Sequence, residues 1–153
     1  MAGNNRFLKT FALSLIFLAS GGCGQKVTYI DLTITSGSVI NPNDRDISYP
    51  LMLRFYELTE ADKFSKLSFQ ALADEAAKQL GDNLISQAKH VVLRNKIQSY
   101  KIRFDDRAKY LGIIGSFRKL DENGTWRFVK NLEAGRHNEL ELLINRHSIK
   151  EDD

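Results

Sequence analysis

The chain has 153 residues, 42% of them hydrophobic, and its 22 Lys and Arg side chains nearly balance its 19 Asp and Glu side chains. This length suits one folded domain with a hydrophobic core, and the charge balance excludes the basic excess that nucleic-acid binding requires. Cys23 is the only cysteine, so no disulfide can form within the chain.

The N-terminal segment has the pattern of an export signal. Arg6 and Lys9 precede an apolar run at residues 11–19, and small residues at positions 20–22 lead to Cys23. The run is too short to cross a bilayer, which needs about 20 apolar residues. Residues 20–23 resemble the lipobox of bacterial lipoproteins, whose cysteine becomes the lipidated first residue. We expect a signal peptide at residues 1–22 and a lipid on Cys23; an ordinary signal peptide with a cysteine nearby is the alternative.

Two strands separated by a loop are predicted next. Residues 28–34 alternate between apolar and polar side chains, as in a half-buried strand. Residues 36–48 are rich in Gly, Asn, Asp and Pro, which indicates an exposed loop. Pro50 then precedes a second strand at residues 51–58, with Leu51, Leu53 and Phe55 on one side.

The apolar period then changes to that of a helix. Thr59 and Asp62 resemble a capping box, and Ser68 is a plausible N-cap for a second helix. Gly81 is expected to end that helix. The helical insert is predicted at about residues 59–85. Its second helix should pack on the sheet through an apolar stripe of Phe69, Leu72, Ala73, Ala76, Ala77 and Leu80.

Strand patterns return after the helical insert. Residues 110–115 are continuously apolar, which predicts a strand buried on both faces, with glycines where another backbone approaches or a bulge bends the strand. Trp126 is predicted to lie in the core, and the tail at residues 150–153 to be frayed. Seven short strands around one helical insert favour a mainly β fold, a β-sandwich of about seven to eight strands. The remaining strands are predicted at residues 90–93, 99–104, 126–129 and 139–144.

No pattern in the sequence indicates catalysis or metal binding. His90, His137 and His147 lie ten or more residues apart, without metal-ligand spacing. Asp105 and Asp106 are adjacent, so in a strand they would point to opposite faces. We therefore expect neither an enzyme nor a cofactor. Six basic side chains are expected to form either a solvated face of the sheet or a surface that contacts anionic headgroups or an acidic partner. These side chains are Arg94, Lys96, Lys101, Arg103, Arg107 and Lys109.

The order of these features resembles the TssJ family, the outer-membrane lipoproteins of the bacterial type VI secretion system. Three stretches carry the resemblance. They are the lipobox-like residues 20–24, the first strand and loop followed by the segment at residues 49–58, and the helical insert at residues 64–84. The second stretch is similar to the proline, apolar strand, Arg, aromatic pair and Leu of that family.

The resemblance implies a transthyretin-like β-sandwich with a small helical insert after the second strand, in one domain at residues 23–153. It implies a lipid anchor on Cys23 at the periplasmic face of the outer membrane. It also implies that the chain binds the periplasmic C-terminal region of TssM, and through it TssL, in a complex that bridges the envelope. No nucleic acid and no small-molecule substrate are expected.

The contact loop of the family lies between strands one and two. A plain solvated connection is the alternative for these residues, and Val39, Ile40 and Ile47 are expected to be exposed apolar contacts. A periplasmic lipoprotein that binds a small ligand is the alternative function for the whole chain. The predicted partner-binding loop consists of Gly37, Ser38, Val39, Ile40, Asn41, Pro42, Asn43, Asp44, Arg45, Asp46 and Ile47.

Overall fold

The computed structural model describes residues 26–152 and contains two packed four-stranded sheets. The predicted β-sandwich is confirmed, with eight strands. Two helices follow the second strand, as predicted: α1 (Asp62–Lys66) and α2 (Phe69–Leu80), with a 3-10 turn at Gly81–Asn83. The strands are β1 (Tyr29–Ser36), β2 (Leu51–Leu58), β3 (Leu84–Val92), β4 (Ile97–Arg103), β5 (Tyr110–Gly115), β6 (Arg127–Asn131), β7 (His137–Ile144) and β8 (Ile149–Glu151).

The strand order is β4-β1-β7-β8 in sheet 1 and β3-β2-β5-β6 in sheet 2. Strands β1 and β7 run parallel, and the other neighbouring pairs are antiparallel. Ile30, Leu32 and Ile34 of β1 are buried because alternate residues of a strand point to the same face. The main core therefore lies between the sheets.

The two helices cover the outer face of sheet 2. The hydroxyl of Tyr56 donates a hydrogen bond of 2.8 Å to the backbone oxygen of Leu72, and its ring centroid lies 5.3 Å from that of Phe64. The predicted stripe on α2 packs on the sheet, with Leu72, Ala76 and Leu80 buried. A second core layer thus lies outside the sandwich.

The ends of the helices agree with the sequence in two of three cases. Ser68 accepts a hydrogen bond from the N–H of Ala71, and Gly81 ends α2 with a φ of +57°, as predicted. The capping box at Thr59 is wrong. Helix α1 has Ala61 at its N-cap without a side-chain bond, and the N–H of Thr59 donates to the backbone oxygen of Asn83 instead.

Strand β5 is buried on both faces, as its apolarity predicts, but its glycines have a different neighbour from the predicted one. A Cβ on Gly112 would lie 2.7 Å from the ring of Phe64, and a Cβ on Gly115 would lie 2.5 Å from the ring of Phe117. The glycines therefore leave room for aromatic rings and not for another backbone.

Two edge strands depart from the sequence pattern. Strand β3 begins at Leu84 and not at residue 90, and β8 pairs with β7 where a frayed tail was expected. Residues 86–89 of β3 are exposed, so they carry no alternation of apolar side chains.

Within residues 26–152, no helix has the length and apolar character that crossing a membrane would take.

The ends of the sandwich are called the tether pole and the loop pole. At the tether pole, where β1 and β7 begin, Thr28 accepts hydrogen bonds from the N–H groups of Phe104 and Gly135. At the loop pole, β1 and β3 end while β2 and β4 begin. Because β1 has eight residues, the two poles are separated by about 26 Å at ~3.3 Å per residue.

Candidate functional site

The loop between β1 and β2 is anchored in the core at its root. Ile40 is fully buried, so the prediction that it is exposed is wrong. Its N–H donates to the hydroxyl of Ser48 at 3.0 Å, and the same hydroxyl donates to the backbone oxygen of Ile40 at 2.8 Å. The two sides of the loop are thereby closed on each other, and Ile40 stabilises the fold instead of offering a contact.

Asn41 ties the loop to three other segments. Its side-chain amide donates to the backbone oxygen of Pro50 at 3.0 Å, and its side-chain oxygen accepts from the N–H of Arg118 at 2.7 Å. Its own N–H donates to the backbone oxygen of Arg146 at 2.9 Å. The residue has a φ of +46°, a conformation that Asn tolerates better than most residues. Asn41 therefore fixes the root in one position.

The tip of the loop is a short turn that Asn43 holds together. Its side-chain oxygen accepts from the N–H groups of Arg45 at 2.9 Å and Ile47 at 3.0 Å, as in an Asx turn. The N–H of Asn43 donates to the backbone oxygen of Ile47 at 3.0 Å. The tip is exposed but ordered by its own hydrogen bonds.

The two carboxylates of the tip each pair with a basic side chain from another loop. Asp44 lies 2.6 Å from Lys119, and Asp46 pairs with Arg146. The hydrogen bond and the charge of Lys119 lower the pKa of Asp44 from its ordinary value. Such exposed pairs contribute little stability, and Arg45 and Ile47 are exposed beside them.

The structure divides the predicted loop residues into three groups by exposure. Gly37, Val39 and Asn43 are half-buried, so Val39 is less exposed than predicted, and Ile40, Asn41 and Pro42 are buried. The exposed residues are Ser38, Asp44, Arg45, Asp46 and Ile47. Cys23, the predicted lipidation site, lies outside the described residues.

Large apolar side chains are exposed around this loop. Seven such side chains occur in residues 26–152, and six of them lie at the loop pole, while Val27 lies at the tether pole. Exposed apolar side chains concentrated at one end of a domain are candidate contacts for a partner. The six, with their exposed fractions, are Ile47 (53%), Tyr49 (39%), Val91 (43%), Leu93 (48%), Ile97 (73%) and Leu120 (42%).

Sequence reasoning found Ile47 but missed the other five as part of this surface. The signal for two of them is present in the sequence, because Leu93 and Ile97 flank the polar turn between β3 and β4. An apolar residue on either side of a short connection is left exposed when both neighbouring strands are at a sheet edge. That position could only be known from the strand order.

The residues considered for chemistry are not brought together. His90 contacts the hydroxyl of Tyr100 at 2.6 Å, whereas His137 lies 2.7 Å from Asp31 on the other sheet. Asp105 pairs with Arg107, which lowers the pKa of that carboxyl. In the part of the chain that the structure describes, no three His, Cys, Asp or Glu side chains are grouped as metal ligands.

The predicted basic group is also dispersed. Arg94 and Lys96 lie at the loop pole, Lys101 pairs with Asp31 on the outer face of sheet 1, and Arg107 lies near the tether pole. A single continuous basic face is therefore not present in residues 26–152.

A sequence profile described as type VI secretion lipoprotein, VasD, EvfM, TssJ matches residues 28–147. No curated protein matches the chain significantly. Among solved structures, the T6SS lipoprotein TssJ1 from Pseudomonas aeruginosa is similar, with a TM-score of 0.78 and 25% identity, covering 82% of this chain and 95% of that chain.

Two further structures share the fold at lower identity. A chain in a structure of the T6SS protein TssM C-terminal domain from EAEC has a TM-score of 0.70 and 21% identity, over 82% of this chain and 98% of that one. Lip from Serratia marcescens, a membrane-bound component of the type VI secretion system, has a TM-score of 0.74 and 15% identity, over 82% and 98%.

Proposed function

Because the chain belongs to the type VI secretion lipoprotein family, we propose that it is an outer-membrane lipoprotein that docks the periplasmic C-terminal region of TssM. It would thereby help to assemble the envelope-spanning complex with TssM and, through TssM, TssL. The family is one of structural secretion lipoproteins and not of enzymes. The assigned role needs no cofactor beyond the covalent lipid.

The lipid on Cys23 would place the tether pole at the membrane. Only Gly24 and Gln25 lie between Cys23 and Lys26, and three extended Cα–Cα steps reach about 11 Å. One acyl chain binds a membrane only marginally, so stable anchoring requires more than one chain, as bacterial lipoproteins carry. The tether pole would then face the bilayer, and the loop pole would face into the periplasm.

The observation that carries the docking proposal is the group of exposed apolar side chains on a rigid loop pole. Ile47 is 53% exposed, yet the tip that bears it is held by Asn43 and the root by Asn41. A surface that is already ordered loses little conformational entropy when a partner binds. These features support a protein-binding loop over a plain solvated connection.

The docking proposal is tested with substitutions at the exposed tip. Removal of residues 40–46 is unsuitable because Ile40 and Asn41 are part of the packed root. We therefore combine Arg45→Glu with Ile47→Asp in the full lipidated chain, purified in detergent, and measure its affinity for the TssM C-terminal periplasmic region. Loss of an apolar anchor and reversal of a charge should weaken binding by on the order of a hundredfold.

The matched control places equivalent changes at the opposite pole. Val27→Asp combined with Lys109→Glu makes the same kinds of change at exposed positions near the tether pole. This variant should bind as the unaltered protein does. Equal affinity of the tip variant and the unaltered protein, or no binding by the unaltered protein, would overturn the proposal.

The anchor is tested separately by Cys23→Ser. The substitution removes the thiol that would carry the lipid, so the protein should leave the membrane fraction. Retention of the variant in washed outer membranes would show that another contact holds the chain there.

The alternative of a small-ligand-binding lipoprotein finds little support in the cavity between the sheets. That cavity is lined by Leu32, Phe55, Tyr100 and Ile102, among others, and has a volume of about 150 Å³. Pockets for drug-sized ligands have roughly 300–1,000 Å³. This cavity between the sheets is therefore too small for such a ligand.

A further inference from the structure

The connection between β3 and β4 crosses from sheet 2 to sheet 1 at residues 93–96, called here the β3–β4 turn, and it is tied to the start of the β1–β2 loop. The hydroxyl of Ser36 donates to the backbone oxygen of Leu93 at 2.6 Å and accepts from the N–H of Lys96 at 2.9 Å. The N–H of Asn95 donates to the backbone oxygen of Gly37 at 3.0 Å. The β3–β4 turn therefore keeps a fixed position beside the loop.

A cleft of about 320 Å³ separates the β3–β4 turn from the far side of the loop. The ring of Tyr49 stands on one side, with the guanidinium of Arg118 4.9 Å from its centroid. Leu93, 48% exposed, stands on the other side. The cleft is thus walled by two apolar side chains, and it is lined by Ser48, Tyr49, Pro50, Leu93, Arg94 and Lys96.

The charges around this cleft are not balanced. Arg94 and Lys96 are exposed, and neither forms an ion pair with any residue in the described range 26–152. The nearby carboxylates Asp44 and Asp46 are already paired with Lys119 and Arg146. The rim of the cleft therefore presents positive charge that only an outside carboxylate can neutralise.

We infer that the docking surface has two parts, and that the cleft between the loop and the β3–β4 turn takes an apolar side chain flanked by acidic residues from the periplasmic partner. The inference rests on the proposed function, because it names a second contact with the same partner. Charge complementarity selects the occupant: two unpaired cations at the rim of an apolar cleft match a segment in which Asp or Glu adjoins a large apolar residue. Ile97, 73% exposed, lies at the start of β4, directly after this turn.

The test compares two variants of the β3–β4 turn with the tip variant and the tether-pole control. Arg94→Glu with Lys96→Glu reverses the rim, and Leu93→Asp with Ile97→Asp removes the apolar contact. Affinity of the full lipidated chain for the TssM C-terminal periplasmic region is measured in detergent at two ionic strengths. Lys109→Glu, an exposed reversal near the tether pole, is the matched control.

The charge variant should lose affinity by on the order of tenfold at low ionic strength, and the loss should shrink at high salt, because salt screens exposed charges. The apolar variant should lose at least as much at both ionic strengths. If both variants of the β3–β4 turn bind normally while the tip variant does not, this inference is overturned and the proposed function stands. An equal loss in Lys109→Glu would also overturn it. Failure of the unaltered protein to bind would overturn the proposed function itself.

Discussion

The helix-covered face of sheet 2 and the loop pole use apolar side chains in opposite ways. Under the helices, Tyr56, Phe64 and Leu72 are fully buried, and Phe64 fills the space that Gly112 leaves open. At the loop pole, Ile47 and Ile97 are 53% and 73% exposed on a backbone that is equally well held. Burial of apolar area stabilises the fold, whereas exposed apolar area does so only when a partner covers it.

The residues that stabilise the fold are therefore different from the residues that are proposed to bind the partner. Substitutions beneath the helices should change the free energy of unfolding and leave the affinity of the folded protein unchanged. Substitutions of exposed residues at the loop pole should do the reverse. The β1–β2 loop contains both kinds of residue, since its root belongs with the buried region and its tip with the exposed one.

The largest expected effect on stability is that of Phe64→Ala. The ring is fully buried and contacts the ring of Tyr56, so its removal leaves a cavity above Gly112. The free energy of unfolding, measured by denaturant titration, should fall by about 3–5 kcal/mol. The fraction that remains folded should bind TssM as the unaltered protein does. A loss of under about 1 kcal/mol would mean that the helices do not form a second core layer.

The two isoleucines of the loop provide a matched pair. Ile40→Ala should cost about 2–5 kcal/mol because the side chain is fully buried. Ile47→Ala should change stability by less than about 0.5 kcal/mol because the side chain is 53% exposed. Equal costs in denaturant titrations of the two variants would contradict the division of the loop into a buried root and an exposed tip.

A smaller effect on the free energy of unfolding is expected only at alkaline pH. Burial raises the pKa of Tyr56 from 10.0 to about 12. The unfolded chain loses this proton first, so stability is complete below pH 10 and declines between pH 10 and pH 12, by on the order of 2 kcal/mol. In Tyr56→Phe this part of the decline should be absent. The comparison is made by thermal unfolding across this pH range, and an unchanged slope would show that Tyr56 titrates normally.

The smallest effect is expected for Lys119→Ala. The pair with Asp44 is exposed, so its loss should leave the denaturation midpoint unchanged. The pKa of Asp44 is held below its ordinary value by Lys119, so it should rise toward that value in the variant, as an NMR titration would show. Any stability that the pair supplies is present above the ordinary pKa of Asp and is lost as the pH falls through the lowered one. A large fall in the midpoint would place the pair among the stabilising contacts.

Local patterns predicted the parts of the fold that depend on nearby residues. Strand β1 follows from its alternation, and α2 follows from Ser68, its apolar stripe and Gly81. Each of these patterns involves residues that are close together in the sequence. Strand β8 carries no such signal, because three residues acquire a strand conformation only by pairing with β7.

The candidate site was less predictable because its root depends on distant segments. The sequence pattern indicates a loop at Ile40 and Asn41. In the structure, however, the backbones of Arg118 and Arg146 hold Asn41 in place, and these residues lie 77 and about a hundred positions away in the sequence. The β3–β4 turn joins the surface for a similar reason, through Ser36 and Gly37. Only the strand order brings these parts to one pole, whereas the exposed tip at Asp44 and Arg45 was correctly read from its turn residues.

The central claim is that the partner binds at the loop pole and not at the tether pole. Amide hydrogen exchange of the full lipidated chain in detergent, with and without the TssM C-terminal periplasmic region, tests it without any substitution. The account predicts slower exchange at residues 43–49 and 93–97 when the partner is present, and unchanged exchange at residues 104–109 and 132–136. Protection confined to the tether pole, or the same protection at both poles, would contradict it.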